Sequence, residues 1–143
     1  MKLETGNMWS IFDLKEYFLV TTNSYIRKDG ALVMGRGIAK QLADKIPSIP
    51  WDFADKIKHL GNYGIVVTAG RIGAFQVKKH FANDAEFPLI TSSTYDLHRW
   101  AESLPKRRFD LNFPGIGNGH LDYNEVLPLL QGLPDNVHIW TFT

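Results

Sequence analysis

The chain contains no cysteine, which excludes a disulfide framework, a thiolate metal site and a thiol nucleophile. It also lacks long apolar runs. No stretch approaches the roughly 20 apolar residues needed to cross a bilayer, and the opening MKLETGNMW has no apolar core of the kind a leader peptide carries. No membrane partner is expected, and the expected location is cytoplasmic. An excess of one charge is missing too: 16 basic residues face 15 acidic ones, for a net charge of +1. That is far from the basic field of a nucleic-acid binder. The short run Lys106-Arg107-Arg108 reads as a solvated loop, and no specific nucleic-acid binding is expected. The five histidines show no metal spacing, so neither a metal nor a cofactor is expected.

What is present is the composition of a folded protein: 44% apolar residues and four tryptophans, Trp9, Trp51, Trp100 and Trp140. A length of 143 residues suffices to bury a continuous core without covalent staples. One domain spanning the chain is expected, as a monomer.

Tyr17 to Thr22, YFLVTT, is a run of β-branched and aromatic residues that suits a strand buried on both faces. After a polar loop from Asn23 to Gly30, Ile38, Leu42 and Ile46 recur every four residues and Pro47 follows, which predicts an amphipathic helix opening near Gly35. A second helix is expected from Pro50 to Leu60, closed by Gly61, at the edge of the fold. Gly64 to Ala69 and Ala74 to Lys78 read as a hairpin with Arg71 at its tip. Phe87 to Leu104 follows a helical period. Phe109 to Phe113 reads as a strand, Asp122 to Gln131 as a helix and Val137 to Phe142 as a terminal strand. Alternating β and α elements predict a largely parallel or mixed sheet flanked by helices on both faces, with ligands beyond the carboxyl ends of the strands.

Two glycine-rich loops each fall between a strand and a helix: Gly30 to Gly37 (GALVMGRG) and Pro114 to His120 (PGIGNGH). Glycine permits positive φ and close backbone approach, so peptide N–H groups can converge on a phosphate, assisted by the positive end of the following helix. Neither loop has the Gly-Lys-Ser/Thr of a Walker motif, and neither follows the first strand of a βαβ unit as a Rossmann fingerprint does. The pairing of two such loops points to a nucleotide bearing phosphates.

These residues resemble the macro domain family, whose members bind ADP-ribose and its derivatives. The resemblance spans nearly the whole chain. It rests on Gly6-Asn7-Met8-Trp9 near the end of the first strand, Thr22-Asn23-Ser24 ending the second, Met34-Gly35-Arg36-Gly37-Ile38-Ala39 opening a helix, and Phe113 to Asn124. It implies a three-layer α/β/α fold around a central mixed sheet. Within the family the chain looks similar to the branch holding ADP-ribose-1″-phosphate phosphatases and enzymes that remove ADP-ribose from acidic side chains. Carried over by position, the resemblance sets Asn7 and Met8 beside the adenine, with Phe142 near it. It puts Gly35, Arg36, Gly37 and Ile38 around the diphosphate and distal ribose, together with Gly115, Ile116, Gly117, Asn118, Gly119 and His120. Asn23 or Ser24 would lie near that ribose. The implied partner is ADP-ribose or an ADP-ribosylated molecule.

For chemistry, the resemblance puts Lys78 where glycohydrolase members carry a lysine that forms a covalent adduct with the ribose. A lysine is nucleophilic only when burial or a neighbouring cation lowers its pKa, and a solvent-facing lysine at a strand end is the competing role. Those members also place an Asp shortly after the second loop, where this chain has His120 and Leu121. His120 and Asp122 are the remaining acid–base candidates, although Asp122-Tyr123-Asn124-Glu125 has capping-box spacing and suits a helix start. Two readings stand: a hydrolase acting on an ADP-ribose derivative, or a module that binds ADP-ribose without chemistry.

Overall fold

In the segment Tyr17–Thr22, successive side chains point to opposite faces and both faces are apolar: Phe18 and Val20 enter one buried cluster and Leu19 the other. Such a strand is stable only between two layers, and the fold supplies them. The computed structural model describes residues 1–142. In chain order its elements are β1 (Lys2–Thr5), β2 (Tyr17–Thr22), α1 (Ile38–Lys45), α2 (Ile49–Leu60), β3 (Ile65–Val67), β4 (Ile72–Gln76), α3 (Phe87–Ser103), β5 (Phe109–Asn112), α4 (Tyr123–Leu130) and β6 (Val137–Thr141). The sheet order is β1-β6-β5-β2-β4-β3. Neighbours run parallel except for the antiparallel β3–β4 pair. Helices α1 and α2 cover one face with Leu42, Phe53 and Ala54 against Phe18, Val20 and Ala74. Helices α3 and α4 cover the other with Leu97, Val126 and Leu130 against Leu19, Phe75 and Leu111. This is the expected three-layer α/β/α arrangement around a mixed sheet. No helix of the described residues is long and apolar enough to cross a membrane.

Where observed elements differ from the sequence pattern, backbone geometry gives the reason. Helix α1 begins at Ile38 rather than near Gly35, because Gly35 and Gly37 have φ of +64° and +67°, and a right-handed helix cannot pass through them. The hairpin turn is tighter than expected: Thr68 N–H bonds the Ile72 carbonyl at 2.8 Å with Arg71 at φ +65°, so β4 starts two residues before Ala74. Helix α4 begins at Tyr123 with Asp122 as its cap, and it continues through Pro128. A short 3-10 turn over Met8–Ile11 follows β1; it escaped the sequence pattern because Met8 and Trp9 fit a strand end equally well.

Candidate functional site

Strand order places a reversal between β5 and β2. From β2 the chain crosses to β3 and β4 on one side, then returns to β5 and β6 on the other. Such a switch point opens a crevice at the carboxyl ends of the strands. The opening is visible in the register. Backbone pairing of β2 with β5 extends from Tyr17↔Phe109 to Leu19↔Leu111, and beyond it the Asn112 side chain stands in for the ladder. Its Oδ1 accepts the Thr21 N–H at 2.9 Å and its Nδ2 donates to Thr21 Oγ1 at 2.8 Å. The strands stay tethered while their ends part.

The resulting cleft has a volume of about 740 Å³, within the usual range for small-molecule sites. It runs over the ends of β6, β5, β2 and β4, from Trp140, Thr141 and Phe142 to Val77 and Lys78. Three inter-strand steps make that span roughly 14 Å, the reach of an elongated ligand rather than a single sugar or base. The first glycine loop and the start of α1 form one wall (Met34 to Ala39), and Gly115 to His120 form the other. The leading N–H groups of α1 have no helical partner and belong to residues lining the cleft, so this wall favours an anion. In the second loop Gly117 sits at φ +63° with open space where a side chain would project. Gly119 is different: a Cβ there would meet Ala85 Cβ at 2.9 Å.

Charged groups gather at the β4 end. Lys78 is half-buried in the cleft wall. Burial lowers its pKa, the Asp84 carboxylate opposes that shift, and the Arg36 guanidinium adds to it. His120 Nδ1 lies 2.6 Å from Asp84 Oδ1. The His120 backbone is left-handed at φ +62°, with its N–H bonded to the Gly117 carbonyl at 3.0 Å. A non-glycine residue held in that region beside a cleft is a strained conformation of the kind that clusters at functional sites. Among the described residues no three His, Asp or Glu side chains gather as a metal site would require.

The remaining candidates divide. Phe142 stands exposed at the β6 rim of the cleft. Asn23 also lines it, but its amide is committed: Nδ2 donates to the Val33 carbonyl at 2.7 Å and Oδ1 accepts the Tyr25 N–H at 2.9 Å. Ser24 Oγ donates to Gln76 Oε1 at 2.6 Å. Asn7 Oδ1 caps the 3-10 turn by accepting the Trp9 N–H at 3.0 Å, and Met8 is fully buried in the core. Asp122 accepts the Asn124 N–H at 2.8 Å as the cap of α4. Ser24, Asn7, Met8 and Asp122 are not among the lining residues. Thr21, Asn112, Phe81 and Trp140 do line the cleft, and the sequence carries no local signal for them, because strand ends meet only in the folded sheet.

A second groove of about 720 Å³ runs along the edge strand β3 between Lys56, Leu60, Asp96 and Trp100. It has no glycine loop, and Asp96 there is occupied in accepting the Ile65 N–H at 3.1 Å.

The chain has the macrodomain fold. It is similar to the macrodomain of Thermus aquaticus DarG, with a TM-score of 0.72 and 23% identity over 99% of this chain and 97% of that one. The macrodomain of Mycobacterium tuberculosis DarG is 27% identical over 96% of both chains, with a TM-score of 0.68. Thermosipho africanus DarTG, solved in complex with ADP-ribose, has a TM-score of 0.73 and 19% identity, and covers 99% of this chain but only 42% of its own. No protein-family model and no curated protein matches the sequence.

Proposed function

We propose that this chain binds ADP-ribose across the cleft and hydrolyses the bond joining C1″ of the distal ribose to an attached group. That group is either the phosphate of ADP-ribose-1″-phosphate or a modified molecule carrying ADP-ribose. Binding is supported by the similarity to DarTG, whose structure holds ADP-ribose, and by an elongated cleft of about 740 Å³ walled by the two glycine loops. The observation that carries the chemistry is Lys78, a half-buried lysine of lowered pKa in the wall at the β4 end. Lowering the pKa raises the share of the neutral amine, the form that attacks.

In the reaction we propose, the Lys78 amine attacks C1″ and the C1″–O bond breaks with its electron pair on the departing oxygen. That oxygen takes a proton from His120. Water then displaces the lysine, and the proton this step releases returns to His120. The products are ADP-ribose and the free hydroxyl or phosphate of the leaving group, with both side chains restored.

A second reading has one observation in its favour. Leu121 stands near where glycohydrolases of the resembling branch carry an Asp, which suits a module that binds without turnover. Calorimetry decides the ligand: ADP-ribose is expected to bind well ahead of ADP and ATP, and no preference would sink both readings. Incubation with ADP-ribose-1″-phosphate and with an ADP-ribosylated protein then separates them. Turnover that Lys78→Ala abolishes supports the hydrolase; undiminished binding with no product supports the module.

A further inference from the structure

The connection from β4 to α3 belongs to neither glycine loop, yet it is seated on the second one. Ala85 N–H donates to the Gly119 carbonyl at 3.0 Å, and its Cβ fills the space that any side chain at 119 would need. The neighbouring Asp84 is thereby held against His120, with Oδ1 at 2.6 Å from Nδ1. Both side chains are 69% exposed, and an exposed pair of this kind contributes little to stability. Its position says more than its strength. The charged groups facing this corner are Lys78 from the end of β4, Arg36 from the first loop, and Asp84 itself, whose carboxylate acts on Lys78 as well as on His120.

An ionised carboxylate can only accept. The ring nitrogen facing it therefore carries the proton, and the other nitrogen is left for the reaction. This is how a carboxylate fixes the tautomer and orientation of a general acid–base histidine. We propose that Asp84 is a positioning residue for the hydrolysis described above: by accepting the Nδ1–H of His120 it holds Nε2 toward the leaving oxygen at C1″, in the corner that contains Lys78. The proposal rests on the hydrolase reading. Asp84 takes up no proton in the cycle; the proton given to the leaving oxygen comes from Nε2 and returns there from the attacking water.

Two measurements test it. Nitrogen-15 spectra of histidine-labelled protein, taken above the titration range of imidazole, are expected to show neutral His120 as the Nδ1–H tautomer in the wild type and as mainly Nε2–H in Asp84→Ala. An unchanged tautomer would overturn the proposal regardless of activity. In steady-state kinetics Asp84→Ala is expected to lower kcat about tenfold, less than loss of the histidine itself, with KM within about twofold and the melting temperature unmoved. Asp84→Glu should recover most of the rate. In a His120→Ala background the Asp84→Ala change should cost nothing further; a loss that persists there would mean that Asp84 does not act through His120. A wild type with the Nδ1–H tautomer but no turnover would overturn the hydrolase reading and the role of Asp84 in chemistry together, whereas turnover with an unchanged tautomer would remove Asp84 alone.

Discussion

Gly117 and Lys78 test the two halves of the site separately. Gly117 holds φ +63° with nothing within 4 Å of a built Cβ, so Gly117→Val would strain the loop and push a branched side chain into the cleft. ADP-ribose affinity measured by calorimetry is expected to fall at least tenfold. Unchanged affinity would mean that the second loop does not touch the ligand. Lys78 predicts a pH dependence. Its pKa lies below the ordinary 10.5, chiefly through burial, with Asp84 opposing and Arg36 assisting. Labelling of Lys78 by an amine-selective reagent should therefore rise with pH with a midpoint below that of free lysine, and Arg36→Gln should move that midpoint upward. The stability sign agrees: the folded state binds this proton less tightly than the unfolded chain, so stability increases as pH climbs through the folded pKa. The family resemblance singled out Lys78, which falls where glycohydrolase members carry a lysine, and the fold sets it in the cleft wall. Asp84 was not legible in the sequence, because its partner His120 lies 36 residues away and only the docking of Ala85 on Gly119 brings the two together.

At the scale of elements the sequence was most readable where one physical signal dominates. The apolar run of β2 gave type and place together, and the spacing of Ile38, Leu42 and Ile46 gave the type of α1, which ends at Lys45 with Ile46 as its cap. Pro50, in the first turn of α2, and Gly61, its closing residue at φ +79°, marked that helix to within one residue. Boundaries were less readable, since the start of α1 depends on two glycines at positive φ, which a helical period does not reveal. Asp122 shows how an element can absorb a residue that looks catalytic. Its carboxylate caps α4 by accepting the Asn124 N–H. Asp122→Ala should thus cost about 1 kcal/mol of stability, as lost caps do, read as a lower urea midpoint. The kcat on ADP-ribose-1″-phosphate should stay unchanged; a fall in kcat with stability preserved would return Asp122 to the chemistry. A similar reassignment holds for the basic run. Arg108 grips the buried Asp110 carboxylate at 2.9–3.1 Å, and Arg107 donates to the Lys15 carbonyl at 3.3 Å. Asp110 also accepts the Trp140 indole N–H at 2.8 Å. Asp110→Ala would leave the buried Trp140 indole N–H without its acceptor while the partly exposed Arg108 guanidinium turns to water, and is expected to cost about 2 kcal/mol in chemical denaturation.

For the whole molecule, the decisive arrangement is that the two cleft walls belong to different layers. Residues 34–39 lead into α1, whose Leu42 packs in the cluster on one face of the sheet, while residues 115–120 lead into α4, whose Val126 and Leu130 pack in the cluster on the other. A ligand that spans the cleft therefore ties together two cores that otherwise meet only through the sheet. Binding to the native state alone stabilises it by about 2.7 kcal/mol at a hundredfold excess over Kd. For a domain of this size that corresponds to a rise in melting temperature of about 10 °C. The more specific consequence is where the protection falls. Under saturating ADP-ribose, amide hydrogen exchange should slow in both loops, Gly35–Ala39 and Gly115–His120, and in the first turns of α1 and α4 behind them. The far edge around β3 should change only as much as global stability does. Protection confined to one loop would mean that the ligand leans on a single layer, and the two-walled cleft would then be the wrong description of the site. Protection centred on Ile65–Val67 and Trp100 would move the site to the groove along β3.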